Sequence, residues 1–176
     1  YNYDSKYFGS VSYRRDASSR FKKEHQWGNF WSIGGAWLIS KEDFFNAPWV
    51  NTLKLKGSVG SQGNDKIGDY LYADSYNVVN NDNQVAYQWR QKGADDITWE
   101  TNTNWNFGLE FDIFKGRLSG SLDYFYRKTS DMLFSLNTPP SIGYTSYFVN
   151  LGDMSNAGVE LTLNSQLINK DKFKWD

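Results

Sequence analysis

Few side chains in this chain of 176 residues have the type and spacing that chemistry requires. The single histidine, His25, lies in a charged stretch. A triad or a metal centre needs partner groups, so His25 reads as a surface-loop residue. Glu110 and Asp112 stand two apart. On an extended strand their carboxylates share a face at about 7 Å, the spacing of a glycosidase acid–base pair. Neighbouring polar residues on a wetted strand face explain them better. Gly57, Gly60 and Gly63 recur at three-residue spacing but end a strand and open no helix, so a phosphate loop lacks its context. Asp65, Asp69, Asp74, Asp82, Asp95 and Asp96 crowd one segment without the D-x-[DN]-x-[DN]-G order of a calcium loop, and read as solvated carboxylates. The candidate substrate-binding set is aromatic: Tyr70, Tyr72, Tyr76, Tyr87 and Trp89, whose rings suit stacking on sugars or packing on a partner. The competing reading is packing that holds their own segment closed. No catalytic residue, metal site or cofactor is assigned.

The elements that would position these groups are strands. Aromatic residues make up 18% of the chain, which favours sheets and interfaces over helices. From Trp99 to Lys128 the chain reads as one long antiparallel hairpin. Trp105, Phe107, Leu109, Phe111 and Ile113 alternate with polar or small residues on the first arm. Leu118, Gly120, Leu122, Tyr124 and Tyr126 do so on the second. A two-residue turn at Lys115-Gly116, closed by residues 114 and 117, sets Ile113 opposite Leu118, Phe111 opposite Gly120, Leu109 opposite Leu122, Phe107 opposite Tyr124 and Trp105 opposite Tyr126. Asp112 then faces Ser119, and Glu110 faces Ser121. A slip of one residue would ruin the match.

Further strands are expected at Tyr7–Arg15, Trp27–Ile39, Leu53–Val59 and Gly158–Ile168. Another starts at Phe173, after a tight turn over Asn169–Lys172. Lys41–Val50 reads as a connection holding one helical turn capped by Ser40. Asp16–Gln26, Gly60–Asp96 and Leu133–Ser155 read as long connections, so every second connection is long. Membrane β-barrels sort their loops in this way.

The remaining bulk properties exclude little else. Net charge is −1, which gives no reason for a nucleic-acid partner. There is no cysteine, hence no disulfide framework or thiolate metal site. Mean hydropathy is −0.68, and no apolar run reaches the ~20 residues of a membrane helix. A β-barrel hides its apolar surface on alternate residues and looks no different by this measure. The opening Tyr1-Asn2-Tyr3-Asp4 is no leader peptide, so we expect a processed chain or an internal piece.

Five stretches, in order, resemble the barrel of SusC/RagA-like TonB-dependent outer-membrane transporters: YFGSVSYRRDASSRF from Tyr7, WGNFWSIGGAWLISKEDFF from Trp27, LKLKGSVGSQGN from Leu53, the hairpin from Trp99, and GDMSNAGVELTLNS from Gly152. Ala17 stands where the family usually has glycine, and Trp31 where proline is common. The resemblance implies an all-β antiparallel up-and-down meander, about six or seven strands of a large transmembrane barrel. Residues 1–176 would be a partial barrel without plug, TonB box or terminal strand. It implies a bacterial outer-membrane location, import of oligosaccharides or peptides, and a SusD-like surface lipoprotein and TonB as partners. It also implies no enzymatic role.

In that frame, Leu53, Leu55, Val59, Trp105, Phe107, Leu109, Phe111, Ile113, Leu118, Leu122, Tyr124, Tyr126, Val159, Leu161 and Leu163 would face lipid. Lys54, Lys56, Asn104, Asn106, Glu110, Asp112, Asp123, Arg127 and Glu160 would line the lumen. The alternative is a soluble or surface-exposed β-sandwich that binds glycans through the loop aromatics.

Overall fold

The computed structural model describes residues 1–166, 168–170 and 173–175. In chain order the strands are β1 (Asn2–Tyr3), β2 (Tyr7–Ala17), β3 (Trp27–Leu38), β4 (Val50–Asn64), β5 (Ser75–Asn81), β6 (Gln84–Gln91), β7 (Glu100–Ile113), β8 (Leu118–Ser130), β9 (Leu133–Asn137), β10 (Ser146–Asn150), β11 (Met154–Ser165), β12 (Ile168–Lys170) and β13 (Phe173–Trp175). Seven of them form one antiparallel sheet in the order β1-β2-β3-β4-β7-β8-β11. The other three sheets are two-stranded: β5 with β6, β9 with β10, and β12 with β13.

This is a meander with hairpins inserted in its connections. A sandwich needs a second sheet packed face to face. Among the described residues the only other sheets are these ribbons, so the sandwich alternative falls.

The β7–β8 register is the one that alternation specified. Ile113 pairs with Leu118, Phe111 with Gly120, Leu109 with Leu122, Phe107 with Tyr124 and Trp105 with Tyr126. At the turn the Arg117 N–H donates to the Phe114 carbonyl at 3.4 Å, and Lys115 and Gly116 have φ of 59° and 82°. That is the type I′ geometry whose twist suits a hairpin. Phe114 is also left-handed, at φ 56°, so the ladder closes at Ile113–Leu118 rather than at 114–117.

The strands outrun their sequence signals. β4 extends to Asn64 because Gly60, Ser61, Gln62, Gly63 and Asn64 pair with residues 104 down to 100. β11 starts at Met154 and ends at Ser165, not Ile168, which belongs to β12; Leu167 lies outside the described residues. Of the turn expected over Asn169–Lys172, residues 171 and 172 lie outside them too. Ser40 is no cap: it sits inside a 3-10 turn, Ile39–Lys41, preceded by Leu38 and without a side-chain cap bond.

The long connections are not plain loops, for 65–99 holds β5–β6 and 131–153 holds β9–β10. Connections 18–26, 65–99 and 131–153 all leave one end of the sheet, and 4–6, 39–49 and 114–117 leave the other.

The sheet has no core of its own. Val11 is 78% and Leu161 61% exposed. The buried cluster lies in the long connections instead: Phe21 and Ile97, both 0% exposed, with Ala94, flanked by Ile67, Tyr72, Trp99, Leu133 and Phe148. The Trp99 ring meets Phe21 and Phe30 at 5.5 and 5.3 Å, and its indole N–H donates to the Gln26 carbonyl at 3.0 Å. Polar ties close the knot. The Ser18 hydroxyl donates to Asp65 at 2.7 Å. Arg20 donates to the Asp65 carbonyl and to the Asp69 carboxylate. Thr98 and Asn150 exchange two bonds, at 2.8 and 2.9 Å.

One glycine fixes the β8–β11 contact. A Cβ at Gly120 would stand 2.2 Å from the Thr162 carbonyl oxygen and 3.1 Å from the Phe111 ring. Gly120→Val is therefore expected to destabilise the folded protein by about 1–3 kcal/mol through overpacking. Ser119→Thr, on the other face, should stay within about 0.5 kcal/mol. The midpoint of the heat-dependent gel shift of the full-length protein reads both.

Candidate functional site

Cross-strand pairing sorts the sheet into two unlike faces. On one, successive rows read Tyr13–Trp31, Val11–Ile33–Val59–Trp105–Tyr126, Gly9–Gly35–Gly57–Phe107–Tyr124–Val159 and Tyr7–Trp37–Leu55–Leu109–Leu122–Leu161. Leu53, Phe111 and Leu163 lie on this face in the next row, and Ile113 pairs with Leu118 beyond it. The residues read as lipid-facing all share this one face of the sheet.

The other face carries Lys54 opposite Glu110, then Lys56–Gly108–Asp123–Glu160, Ser58–Asn106–Phe125 and Asn104–Arg127. Asp112 pairs with Thr52 and Ser119. The nine residues read as lumen-lining share this opposite face.

The charges on that face are organised. Lys54 and Lys56 both donate to Glu110, at 3.1 and 2.9 Å, and Lys56 reaches on to Asp123 at 2.9 Å. Lys56 and Asp123 belong to strands separated by β7. The bridge crosses at Gly108, where a Cβ would meet both the Lys56 stem and the Asp123 carboxylate at 2.3 Å. Arg127 donates to Asn104 at 2.8 Å, and Asn51 donates to Asp112 at 2.9 Å. Glu110 and Asp112 thus have separate partners and do not stand as an acid–base pair.

A polar trough of about 320 Å³ runs along Ser10, Gly34, Ser58, Asn104, Asn106 and Arg127.

The loop aromatics separate into groups. Tyr76 and Trp89 are cross-strand partners on β5 and β6 with ring centroids 4.4 Å apart. Tyr87 lies on the same face of that hairpin, opposite Val78, and is 73% exposed. Tyr70 and Tyr72 meet at 6.3 Å, but Tyr72 packs on the buried knot, so its ring is structural.

Two members were missed. Tyr144 packs edge-on against Trp89 at 6.2 Å, and Tyr147 against Tyr144 at 6.1 Å. The aromatic row therefore joins both long connections. The local signal was Gly143, whose φ of 94° turns the chain next to the Trp89 ring.

The loop carboxylates are engaged as well. Asp74 accepts from the Gly93 N–H at 2.7 Å and from Lys92 at 3.2 Å. The Gly93 bond, helped by the Lys92 charge, holds this carboxyl below the ordinary aspartate range. Asp65 and Asp69 face Arg20, and Asp95 faces Lys22. Among the described residues no group of three or more His, Cys, Asp or Glu could hold a metal ion. Gly63 serves packing rather than phosphate, since a Cβ there would overlap the Phe30 ring.

The geometry has relatives. The family model for the TonB dependent receptor-like β-barrel matches residues 1–176. TonB-dependent receptor P39 of Formosa agariphila is 36% identical over 182 residues, which is 99% of this chain and 17% of that protein. TonB-dependent receptor SusC of Bacteroides thetaiotaomicron is 33% identical over 187 residues, 100% of this chain and 18% of that protein. In a solved structure of the RagAB peptide importer in its closed-closed state, one chain matches at TM-score 0.88 and 32% identity, over 96% of this chain and 19% of that one. The chain spans about a fifth of the length of the proteins it matches. Matched by the family model over its whole length and at 32–36% identity by these proteins, the chain belongs to the TonB-dependent receptor-like β-barrel family.

Proposed function

We propose that this chain is a stretch of the wall of an outer-membrane importer. The face of Leu55, Leu109 and Leu122 meets lipid, the face of Lys56, Asn106 and Asp123 lines the lumen, and 18–26, 65–99 and 131–153 stand on the cell exterior.

The observation that carries this reading is the pair of aromatic levels on the apolar face. Tyr7 stacks with Trp37 at 6.3 Å near the short turns, where Trp49 also stacks on Phe114 at 5.8 Å. Tyr13 pairs with Trp31, and Trp105 with Tyr126, near the long connections. From Phe114 to Trp105 a strand rises about 30 Å. A tilt of about 40° projects this to about 23 Å, close to the ~25 Å apolar band between the aromatic girdles of membrane barrels. The bare apolar face of the sheet is then an asset, because lipid covers it.

The whole protein would import an oligosaccharide or a peptide, energised by TonB and capped by a SusD-like surface lipoprotein. This chain would supply wall, lumen surface and outer loops, and no reaction chemistry. Tyr76, Trp89 and Tyr144, which pack on one another, would meet substrate, and the exposed Tyr70 and Tyr87 would add to that contact.

Uptake of a labelled substrate by cells carrying the full-length protein tests the assignment. Trp89→Ala should raise the half-saturating concentration about tenfold, as loss of a central aromatic anchor does. Tyr72→Phe should leave it unchanged. Equal uptake by wild type and Trp89→Ala would remove the aromatic row from substrate contact.

A further inference from the structure

The two ends of the apolar face treat their polar groups differently. At the short-turn end the Tyr7 hydroxyl and the Trp37 indole N–H both donate to Glu42, which also pairs with Lys6. The chain supplies its own anion there.

At the long-loop end the corresponding donors have none. Arg15 lies opposite Asn29, and Ala17 opposite Trp27. Strand alternation puts Arg15, Asn29 and Trp27 on the face of Tyr13 and Trp31. The Arg15 guanidinium lies over the Trp27 ring, 4.6 Å from its centroid. Tyr13 donates to the Asn29 side-chain oxygen at 2.8 Å, which leaves the amide nitrogen as a donor. Arg14, on the opposite face, is paired with Asp16 at 3.1 Å, but among the described residues no carboxylate pairs with Arg15. The indoles of Trp37 and Trp99 have acceptors, and among the described residues Trp27 has none. A cation stacked on an indole, and an amide opposite that cation across the strand pair, thus have no acceptor among the described residues. Arg15 and Asn29 stand two residues, about 6.6 Å along the strand, beyond the Tyr13–Trp31 level, and Trp27 stands four residues, about 13 Å, beyond it. That is where headgroup phosphates begin above an interfacial aromatic girdle.

We infer that Arg15, Trp27 and Asn29 bind the phosphate of a glycolipid headgroup in the outer leaflet. The guanidinium offers forked donors to the phosphate, and the indole fixes its plane. The inference rests on the lipid-facing assignment of this sheet face.

The test uses the full-length protein in phosphatidylcholine nanodiscs doped with monophosphoryl lipid A, and native mass spectrometry reads the fraction carrying that lipid. Wild type should retain it, Arg15→Gln should retain about fivefold less, and Arg15→Lys should fall between. Trp27→Leu should lower retention as well. The heat-dependent gel shift confirms that each variant is folded.

Equal retention by wild type and Arg15→Gln overturns the inference. So does equal retention of lipid A stripped of its phosphate. Displacement by millimolar inorganic phosphate would make this a site for soluble anions and overturn the lipid assignment. If spin labels along β7 show no lipid-facing side, the underlying reading has failed. If they show one and retention ignores Arg15, this inference alone has failed.

Discussion

Leu109→Arg should destabilise the membrane-inserted, full-length protein by about 2–4 kcal/mol, whereas Asn106→Arg should cost about 0–1 kcal/mol. Both positions lie on β7, three residues apart, in well-paired ladder. Leu109 is flanked by Leu55 and Leu122, and in the proposed orientation it lies midway along the apolar band. A guanidinium there must be dragged out of hydrocarbon, and the penalty is greatest at mid-depth. Asn106 is exposed on the opposite face beside Ser58, where a long cation reaches water. Urea-induced unfolding in bilayers, read by tryptophan fluorescence, gives both values. The contrast isolates the environment, because backbone, strand and incoming residue are the same.

Phe21→Ala should release the outer loops while leaving the sheet intact. Phe21 is fully buried against Ala94, Ile97 and Trp99, and removing a buried phenylalanine costs about 3–5 kcal/mol. That loss falls on a local unit, because the knot is built from 18–26, 65–99 and 131–153 and not from the seven-stranded sheet. Hydrogen exchange should accelerate by two orders of magnitude or more at amides of those connections. An example is Ala94, whose N–H donates to the Leu71 carbonyl at 3.0 Å. Exchange in the middle of β7 should not change, and neither should the gel-shift midpoint. A global loss of stability would mean that the knot is part of the barrel's own folding unit. The ribbons β5–β6 and β9–β10 depend on the knot, because an isolated two-stranded ribbon is marginal in water.

The sheet was legible because its information is local and redundant. Leu109 and Leu122, Phe111 and Gly120, and Asp112 and Ser119 all vote for one register, and a slip of one residue puts apolar groups on the polar face. The bridge over Gly108 was hidden, because it joins Lys56 to Asp123 across a strand whose residue at that level has no side chain.

The loops were hidden for two reasons. The first is composition. β5–β6 turns at Asp82 and Asn83, with φ of 48° and 66°, a readable hairpin signal. Asn77, Asn80, Gln84 and Gln88 around it made the stretch look like plain polar loop. In the same way, Pro139-Pro140 masked the pairing of Leu133–Asn137 with Ser146–Asn150. The second is distance along the chain. Phe21 with Trp99, and Trp89 with Tyr144, are contacts between segments far apart in sequence, and no period records them. Of the aromatic candidates, Tyr76 and Trp89 do meet, as cross-strand partners. Tyr72 turned out to be a knot residue, and of the contacts of Tyr144 and Tyr147 only Gly143 left a local mark in the sequence.

The central claim is that one face of this sheet meets hydrocarbon and the other an aqueous interior. The chain contains no cysteine, so single cysteines can be placed from Thr103→Cys to Ile113→Cys in an otherwise cysteine-free full-length protein and given a nitroxide label. In bilayers, collision with oxygen should peak at 105, 107, 109 and 111. Collision with a water-soluble nickel complex should peak at 104, 106, 110 and 112, out of phase with a period of two. Oxygen and nickel profiles that rise and fall together, or the reverse phase, would contradict the account.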